Sequence, residues 1–311
     1  MFCSTIIATI ARPTLTRSVL SVLEQRFEQD EFEVIVVNDS GQALPSADWQ
    51  HSPHVRILDT GQRERSVARN AGASIARGRY LHFLDDDDWL ESHALQTWWE
   101  LAGRSDAAWL YSSTQLVNRD GRALIQLHHG LQGNCFLQVL AGEWIPLQAS
   151  VIRAEVFFNL GGFHPLLAGP EDVDLLRRVA LHYDLAGVET VVANVIMGQS
   201  GSTTDYEAHA GHSRRARERI LDDPAAFPRL RSAAQDAYGH GRIARAYLTS
   251  AVWNARHGRP LAAAGRAWTG VRGALRAGRH LLSPPFWQAV ARPYHNETFA
   301  RGQRQAAQVA T

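Results

Sequence analysis

The chain has 311 residues, of which 45% are hydrophobic and 20% charged, a composition typical of a soluble globular protein with one large domain and an appendage, or with two domains. Its formal net charge of +1 hides an asymmetry: residues 1–224 hold 19 Arg and 29 acidic residues (net −10), whereas residues 225–311 hold 13 Arg and 2 acidic residues (net +11). The sequence has no lysine and only two cysteines, which excludes a catalytic lysine and a disulfide framework and favours a reducing compartment.

The N-terminal stretch MFCSTIIATIARP has no basic leader before its apolar run, and Arg12 and Pro13 follow that run directly. This pattern predicts a first strand rather than a signal peptide. No window approaches eighteen uninterrupted apolar residues, so no membrane span is predicted. We therefore expect a cytoplasmic protein, either free or peripheral at the inner face of the cytoplasmic membrane.

The first ninety residues alternate between strand and helix patterns. Apolar, β-branched runs bounded by turn residues predict strands, and apolar residues at three- and four-residue spacing predict helices. The predicted elements are strand Ser4–Ile10, a helix from Leu15 to near Gln25, strand Glu33–Val37, strand Val55–Leu58, helix Ser66–Ala76 with Ser66 as its N-cap, and strand Tyr80–Leu84. This alternation predicts an α/β fold with a mostly parallel sheet and helices on both faces.

Four consecutive carboxylates, Asp85–Asp88, follow the strand Tyr80–Leu84 directly. If the backbone stays extended, Asp85 and Asp87 point to the same side, about 7 Å apart. Unit charges about 4 Å apart repel by roughly 4 kcal/mol at an effective dielectric near 20, so the run favours a divalent cation that also binds a phosphate. The alternative is that one Asp caps a helix beginning near Ser92 while the others are solvated.

Polar residues also follow the other predicted strands. Arg12 comes after the first strand, and Asp39 after the second. Because ligands bind at the carboxyl ends of the strands in such sheets, we expect both residues to meet Asp85–Asp88 in one pocket.

Arg69 and Asn70 lie in the helix that leads into the strand Tyr80–Leu84. An arginine near the pocket is suited to bidentate binding of a phosphate. The alternative is a surface ion pair with Glu64 or Asp59.

The pattern changes after residue 106. The predicted elements are strand Ala107–Ser112, a hairpin of Gln115–Val117 and Ala123–Leu127 around Asn118–Gly121, helix Phe136–Leu140, strand Ala149–Ile152, helix Ala154–Leu160, and a helix that opens at Gly169–Asp172. Acidic residues such as Glu171 and Asp172 at a helix start can be explained by the helix dipole alone. The glycine-rich loop before them instead favours close approach to a ligand.

Together these motifs resemble the inverting glycosyltransferases of family 2, which have the GT-A fold. The resemblance covers about residues 4–200 and rests on six motifs in order. They are T-I-A-R-P (9–13) with S-V-L-E-Q (21–25), V-V-N-D-S (36–40), A-R-N-A-G (68–72), Y-L-H-F-L-D-D-D-D-W (80–89), G-G-F (161–163) and G-P-E-D-V-D-L-L-R-R (169–178). The resemblance implies a GT-A type mixed, mostly parallel sheet flanked by helices, with residues 1–224 as the glycosyltransferase domain and residues 225–311 as a basic helical extension.

The resemblance also implies roles for the residues of the nucleotide pocket. Thr9, Arg12 and Asp39 match positions that line the base and ribose of a nucleotide, and Arg69 would lie nearby. Asp86 fills the middle of the family's Asp-x-Asp motif and would face the sugar or ribose.

The same resemblance assigns the metal and the base. Asp87 matches the aspartate that holds the metal on the diphosphate, with Asp85 as its partner, and Asp88 is left to cap the next helix. Asp172, which follows Glu171 in the catalytic pair, matches the general base.

Some positions depart from the family or have no clear match. Asn38 stands where the family often has another Asp, and His209 and His212 are candidates for a late metal-binding histidine. The segment Leu127–Pro146 has no interpretable motif, and Trp144 within it suits either stacking on a sugar or a place in the core.

The residue types agree with transfer of a sugar from a nucleoside-diphosphate sugar to a hydroxyl of a glycan or lipid-linked acceptor. A divalent cation, Mn²⁺ or Mg²⁺, neutralises the leaving diphosphate, and a carboxylate base deprotonates the acceptor. The family and the arginine-only composition suggest bacterial envelope polysaccharide synthesis. The alternatives are a catalytically silent glycan-binding or scaffolding protein, or a sugar-nucleotide pyrophosphorylase, a class that usually carries a glycine-rich loop and lysines absent here.

Residues after about Ala225 predict basic helices. They carry apolar residues at helical spacing and eight arginines between Arg242 and Arg279. These helices suit either peripheral contact with an anionic membrane near a lipid-linked acceptor or packing on the acidic body. Nucleic acid is not an expected partner, because the acidic body would repel its phosphates.

Overall fold

The structure is a computed structural model that describes residues 1–27, 29, 31–61, 64–167, 169–197 and 206–309. The strands are β1 (Cys3–Thr9), β2 (Phe32–Asn38), β3 (Val55–Asp59), β4 (Tyr80–Asp85), β5 (Trp89–Leu90), β6 (Trp109–Val117), β7 (Ala123–Leu127), β8 (Ser150–Arg153) and β9 (Leu185–Ile196). The helices are α1 (Leu15–Leu23), α2 (Arg65–Ser74), α3 (Ala94–Arg104), α4 (Phe136–Ala141), α5 (Ala154–Asn159), α6 (Glu171–His182), α7 (Tyr206–Asp222), α8 (Ala226–Ala233), α9 (Ala237–Arg256), α10 (Pro260–Arg276), α11 (Pro284–Ala291) and α12 (Glu297–Val309).

The strands of the described residues form one sheet in the order β3-β2-β1-β4-β8-β6-β9-β5, with β7 paired to β6 outside this path. The first four strands pair in parallel, and β8 runs antiparallel between β4 and β6. β6 and β9 pair in parallel, while β5 and β7 are antiparallel to their partners. This architecture confirms the predicted fold class.

Alternate side chains of the central strands enter two hydrophobic cores, one on each face of the sheet. Ile6 packs in the same core as Ala68 of α2, whereas Ile7 packs with Val19 of α1. Because side chains alternate along a strand, a strand covered by helices on both faces must be apolar throughout. This explains why the central strands read as continuous apolar runs.

The cap of α2 differs from the prediction. Glu64, rather than Ser66, is the N-cap, and its carboxylate accepts from the N–H groups of Ser66 at 3.0 Å and Val67 at 2.6 Å. The two oxygens of a carboxylate can accept from two of the N–H groups that have no partner within the helix, whereas a serine hydroxyl has only one oxygen, so Glu64 is the better cap here.

Two strands, β5 and β9, were not predicted. β9 pairs with β6 along its whole length, from Trp109 to Val117. The predicted strand Ala107–Ser112 and the predicted hairpin strand Gln115–Val117 are therefore parts of one strand, β6. The hairpin itself is confirmed: β6 and β7 are antiparallel, and the N–H of Asn118 donates to the carbonyl of Arg122 at 2.9 Å.

The C-terminal helices pack on one another and on the rest of the molecule. α9 lies against α10, α11 and α4, and α12 lies against β7. Arg229 pairs with Asp184 at 2.6 Å, and Arg266 pairs with Asp222. Ala226 and Leu230 share a core with Ile6. The division at residue 224 stays a prediction, since one core includes residues on both sides of it.

No helix in the described part of the chain combines the length and the hydropathy needed to cross a bilayer.

Candidate active site

The carboxyl ends of β1, β2 and β4 lie side by side and form the floor of the candidate site. In this register Thr9 of β1 lies opposite Asn38 of β2, and Ala8 lies opposite Asp85 of β4. The N–H of Asp39 donates to the carbonyl of Thr9 at 2.8 Å, which extends the contact beyond the strands. The residues that follow these strands are therefore neighbours, as their order predicted.

Asp86 is held by two residues that follow or end β1. Thr9 Oγ1 donates to Asp86 Oδ2 at 2.6 Å, and Arg12 Nη1 donates to Asp86 Oδ1 at 2.8 Å. Between them, Ala11 has a φ of 64° and donates its N–H to Thr9 Oγ1 at 2.9 Å. This left-handed conformation is unfavourable for a residue with a Cβ, by on the order of 1 kcal/mol. It is therefore a local distortion at the candidate site.

Three carboxylates converge because the chain turns after β4. The strand ends at Asp85, and the N–H of Asp88 donates to the carbonyl of Asp85 at 3.2 Å. The prediction of an extended backbone through Asp87 is therefore wrong. The turn instead brings ligand oxygens of Asp85, Asp87 and Asp88 within 4.8 Å of one another, closer than the extended chain allows.

The electrostatics of this cluster suit a divalent cation. Burial, followed by the charge of Asp85, raises the pKa of Asp87, although Arg12 Nη1 lies 3.2 Å from Asp87 Oδ2. Burial, followed by the charges of Asp85 and Asp87, raises the pKa of Asp88 well above its usual value. Burial also opposes ionisation of Asp85, but the guanidinium of Arg69 lowers its pKa. A hard cation with carboxylate ligands would offset this repulsion, so the donor set fits Mg²⁺ or Mn²⁺.

Asp88 does not cap a helix. Its Oδ1 accepts from the N–H of Ile196 at 2.8 Å, and its carbonyl accepts from Ser18 Oγ at 2.6 Å. The N-cap of α3 is His93, without a side-chain capping bond. The capping prediction is wrong because the unpredicted strand β9 brings a backbone donor to Asp88.

Arg69 connects the carboxylate cluster to the start of α6. Its guanidinium, 5% exposed, donates to Asp85 Oδ1 at 2.5 Å and to Glu171 Oε1 at 3.1 Å. The alternative of a surface ion pair with Glu64 or Asp59 is therefore wrong. A buried arginine between two carboxylates holds their elements at a fixed separation.

Two further side chains that the sequence did not single out contact the same carboxylates. Gln148 Nε2 donates to Asp85 Oδ2 at 2.9 Å, and Arg65 Nη1 lies 3.5 Å from Glu171 Oε1. Arg65 precedes Arg69 by four residues on α2, a spacing that could have identified it. Gln148 lies in the connection between α4 and β8, where no sequence pattern indicated a contact with Asp85.

Asp172 is oriented by a tryptophan. Trp144 Nε1 donates to Asp172 Oδ2 at 2.8 Å, and the N–H of Val173 donates to Asp172 Oδ1 at 2.7 Å. Each carboxylate oxygen can accept a second hydrogen bond, so Asp172 keeps the capacity to take a proton. Glu171 beside it is buried, and burial followed by the charge of Asp172 raises its pKa against the opposing effect of Arg69.

The glycine loop before α6 is tied to α2. Asn70 Nδ2 donates to the carbonyl of Phe163 at 2.8 Å, and the N–H of Phe163 donates to Asn70 Oδ1 at 2.9 Å. Gly162 has a φ of 65°, and a Cβ there would lie 2.6 Å from Asn70 Oδ1. A larger residue here would be conformationally strained and would displace Asn70, so glycine is favoured at this position.

Asp39 and Asn38 form a hydrogen-bonded turn at the end of β2. Thr60 Oγ1 donates to Asp39 Oδ1 at 2.6 Å, and Asn38 Nδ2 donates to Asp59 Oδ1 at 2.6 Å. Both side chains are buried beside the carboxyl end of β1. Asp39 thus lies at the carboxyl edge of the sheet beside Thr9, and its place in a nucleotide pocket stays a prediction.

The histidine candidates are not joined to the carboxylates in the described residues. The carboxylate cluster contains no histidine there. His212 lies on α7, and the side chain of His209 lies outside the described part of the structure. A metal-binding role for either residue stays a prediction.

Comparison with known proteins identifies similar sequences. A sequence model of the family described as Glycosyl transferase family 2 matches residues 4–163, about half of the chain. The succinoglycan biosynthesis protein ExoO of Rhizobium meliloti is 35% identical over 114 residues, which cover 36% of this chain and 32% of that protein. In three of the curated relatives that match, the aligned segment spans 35%, 31% and 32% of the relative's length.

Solved structures share the fold at low sequence identity. Staphylococcus aureus TarS 1-349 in complex with UDP-GlcNAc superposes with a TM-score of 0.62 at 16% identity, over 100% of this chain and 91% of that one. The mannosyltransferase PcManGT of Pyrobaculum calidifontis, in complex with GDP-Man and Mn²⁺, superposes with a TM-score of 0.56 at 18% identity, over 99% of this chain and 85% of that one.

Proposed function

This chain belongs to glycosyl transferase family 2, and we propose on that basis that it is a metal-dependent inverting glycosyltransferase. The donor is a nucleoside-diphosphate sugar, and the acceptor is a hydroxyl of a glycan or of a lipid-linked intermediate. Two proteins of similar fold were solved with UDP-GlcNAc and with GDP-Man, which supports a donor of this class.

The observation that carries the proposal is the bridge made by Arg69. It joins Asp85, in the carboxylate cluster, to Glu171, the neighbour of Asp172. A group that binds the leaving diphosphate and a base that activates the acceptor must face the same anomeric carbon. Because the Arg69 bridge links Asp85 to Glu171, it supports the proposal that the metal-binding carboxylates and the base act in one site.

On this proposal Asp172 is the general base. It accepts the proton of the acceptor hydroxyl while the hydroxyl oxygen attacks the anomeric carbon, and the bond from that carbon to the diphosphate oxygen breaks. Attack from the face opposite the diphosphate inverts the anomeric centre in a single displacement. Trp144 would orient Asp172 through its hydrogen bond, and Glu171 would hold the start of α6 against Arg69.

Asp85 and Asp87 would hold the divalent cation, with Asp88 as an additional carboxylate of the same cluster. When bound, the cation supplies charge neutralisation for the diphosphate leaving group. Thr9, Arg12 and Asp39 would line the base and ribose. Asp86, fixed by Thr9 and Arg12, would face the ribose or sugar.

The proposed setting is the assembly of a bacterial envelope polysaccharide. Relatives of the chain include a succinoglycan biosynthesis protein and the poly(ribitol-phosphate) β-N-acetylglucosaminyltransferase TarP of Staphylococcus aureus. The proposed location is the cytoplasm, where nucleotide sugars are made, with residues 1–224 as the catalytic domain and residues 225–311 as its extension.

Nucleotide-sugar hydrolysis without an acceptor would test the proposal. The full chain is incubated with a panel of nucleotide sugars, with Mn²⁺ or with a chelator, and release of nucleoside diphosphate is measured. We expect release from at least one donor with Mn²⁺ and none with the chelator, with Asp120→Asn in the exposed hairpin as an unaffected control. Binding of nucleotide without any hydrolysis or transfer would instead favour a catalytically silent glycan-binding or scaffolding protein.

A further inference from the structure

The helix α10 exposes a row of large apolar side chains. Leu261 is 89% exposed, Trp268 63%, Val271 44% and Leu275 65%. Successive members are separated by seven, three and four residues, so they lie on one side of the helix. We name these four residues the α10 face.

The opposite side of α10 is fixed against the protein. Gly270 and Gly273 are buried, and a Cβ at Gly270 would lie 3.2 Å from Leu248 of α9. Arg266 hydrogen-bonds to the carbonyl of Leu221 and pairs with Asp222. The α10 face therefore points outward because the other side is closely packed, rather than because the helix is loosely attached.

The chemistry around the α10 face is strongly cationic. Arg272 and Arg276 are exposed on the same helix and border the face on one side, and Arg259 and Arg279 are exposed just beyond its two ends. The sequence between residues 237 and 296 contains nine arginines and no acidic residue. An exposed apolar row with cations beside it is the pattern of a helix that lies in a membrane interface.

We propose that the α10 face is a docking surface for an anionic phospholipid bilayer. Trp268 and the three aliphatic side chains enter the boundary between headgroups and acyl chains, and Arg272 and Arg276 contact the lipid phosphates. Leu282 and Trp287, which are 89% and 58% exposed, extend the exposed apolar surface along the chain beyond α10. The structure thus assigns membrane contact to one side of one helix rather than to the basic helices in general.

Charge complementarity favours lipid over a second copy of the chain. In a symmetric dimer through the α10 face, the arginines that border one copy would approach those of the other, with no acidic residue between positions 237 and 296 to pair with them. An anionic headgroup layer supplies the missing negative charge. Docking would bring the chain to a membrane surface, and it does not depend on the proposed transfer reaction.

Vesicle flotation of the full chain tests the docking surface. The vesicles are phosphatidylcholine alone or with 30 mol% phosphatidylglycerol (about one anionic lipid in three), at low and high salt. We expect binding to anionic vesicles at low salt and about tenfold weaker binding in each of three changes: neutral lipid, high salt, and the double variant Trp268→Ser/Leu275→Ser. Metal-dependent nucleotide-sugar hydrolysis by that variant should be unchanged, so failure of docking and failure of the proposed function are distinguishable.

Matched variants in the body serve as controls. Leu124→Ser removes an apolar side chain of β7 that is 43% exposed, and Arg119→Gln/Arg122→Gln removes two exposed cations of the hairpin. These should bind vesicles like the unmodified chain, whereas Arg272→Gln/Arg276→Gln should bind about tenfold more weakly.

Two results would overturn the proposal. One is anionic-vesicle binding by Trp268→Ser/Leu275→Ser that equals that of the unmodified chain. The other is the absence of binding to anionic vesicles at low salt; a dimer seen by sedimentation equilibrium that the same double variant dissociates would then identify a second copy of the chain as the partner of the face. Quenching of tryptophan fluorescence by brominated lipid that decreases in Trp268→Phe would place that ring in the acyl region and support the proposal, with Trp287 accounting for the quenching that remains.

Discussion

The candidate site and the C-terminal helices handle charge in different ways. In the site, carboxylates from β4 and α6 are held by arginines from other elements: Arg12 contacts Asp86, and Arg69 contacts Asp85 and Glu171. In the C-terminal helices the buried Arg242 instead donates to backbone carbonyls, among them that of Arg292 at 2.7 Å.

The two regions also differ in the sign of the charge that is not paired within the protein. The pKa values of Asp87 and Asp88 are raised first by burial and then by the negative charge beside them, which favours a cation. Arg272 and Arg276 are instead exposed without an acidic neighbour on their helix, and although the Arg272 guanidinium also lies 5.6 Å from the ring of Phe227, their unpaired charge favours an anionic surface. In both regions internal pairing supports the fold, and the charge that stays unpaired is the basis for the two proposals, a cation at the carboxylates and an anionic membrane at the α10 face.

The largest expected effect is on the base. Asp172→Asn keeps the shape of the side chain but removes its ability to take a proton, so transfer should fall about 10³-fold. Nucleoside-diphosphate affinity, measured by calorimetry, should stay within about twofold, because Asp172 contacts Trp144 and its own helix. Turnover that survives the substitution would remove Asp172 as the base.

The next effect concerns the paired arginine. Arg69→Met removes the buried cation between Asp85 and Glu171, leaves Glu171 with only the exposed Arg65, and should lower the free energy of unfolding by about 3–5 kcal/mol, read from urea denaturation. Arg65→Met is the matched change on the same helix, and it should cost about 1 kcal/mol or less because Arg65 is 41% exposed. Equal losses in the two variants would mean that the buried bridge does not hold the site together.

A smaller effect is expected in the C-terminal helices. Arg242→Met removes the donor to the carbonyls of Ala141 and Arg292 and should lower the free energy of unfolding by about 2 kcal/mol. Arg276→Met should change it by about 0.5 kcal/mol or less, since that side chain is exposed. If Arg276→Met were as destabilising as Arg242→Met, the exposed arginines would not be free for lipid.

The smallest effect is on orientation of the base. Trp144→Phe keeps an aromatic ring but removes the hydrogen bond to Asp172, so kcat should fall about tenfold. A positioning role predicts unchanged nucleotide affinity and unchanged stability to urea within about 1 kcal/mol. A change confined to KM for the acceptor would instead indicate that Trp144 binds the sugar.

Much of the site could be predicted because it is local in sequence. Arg12, Asp39 and Asp85 each lie at or shortly after the end of a strand, so strand order alone places them at one edge of the sheet. The contacts that escaped prediction come from distant segments. Trp144 reaches Asp172 across 28 residues, and Ile196 reaches Asp88 across 108.

The errors have related physical causes. The carboxylate cluster was expected on an extended strand, but a turn at Asp85–Asp88 forms it, and β9 supplies the partner that keeps Asp88 from capping α3. Strand β9 was missed because its burial follows no simple alternation, with exposed residues such as Glu189 and Thr190 in its middle. β9 forms because it pairs with β6, a long-range contact that the local sequence pattern does not indicate.

Calorimetry of nucleoside-diphosphate binding with and without Mn²⁺ tests the central claim most directly, that the Asp85–Asp87 turn holds a cation for the diphosphate. In the unmodified chain Mn²⁺ should tighten binding by about tenfold or more, because a cation on the diphosphate contributes several kcal/mol. Asp87→Asn should abolish that gain, whereas Asp120→Asn should retain it. Equal affinity with and without Mn²⁺ in the unmodified chain would contradict the account.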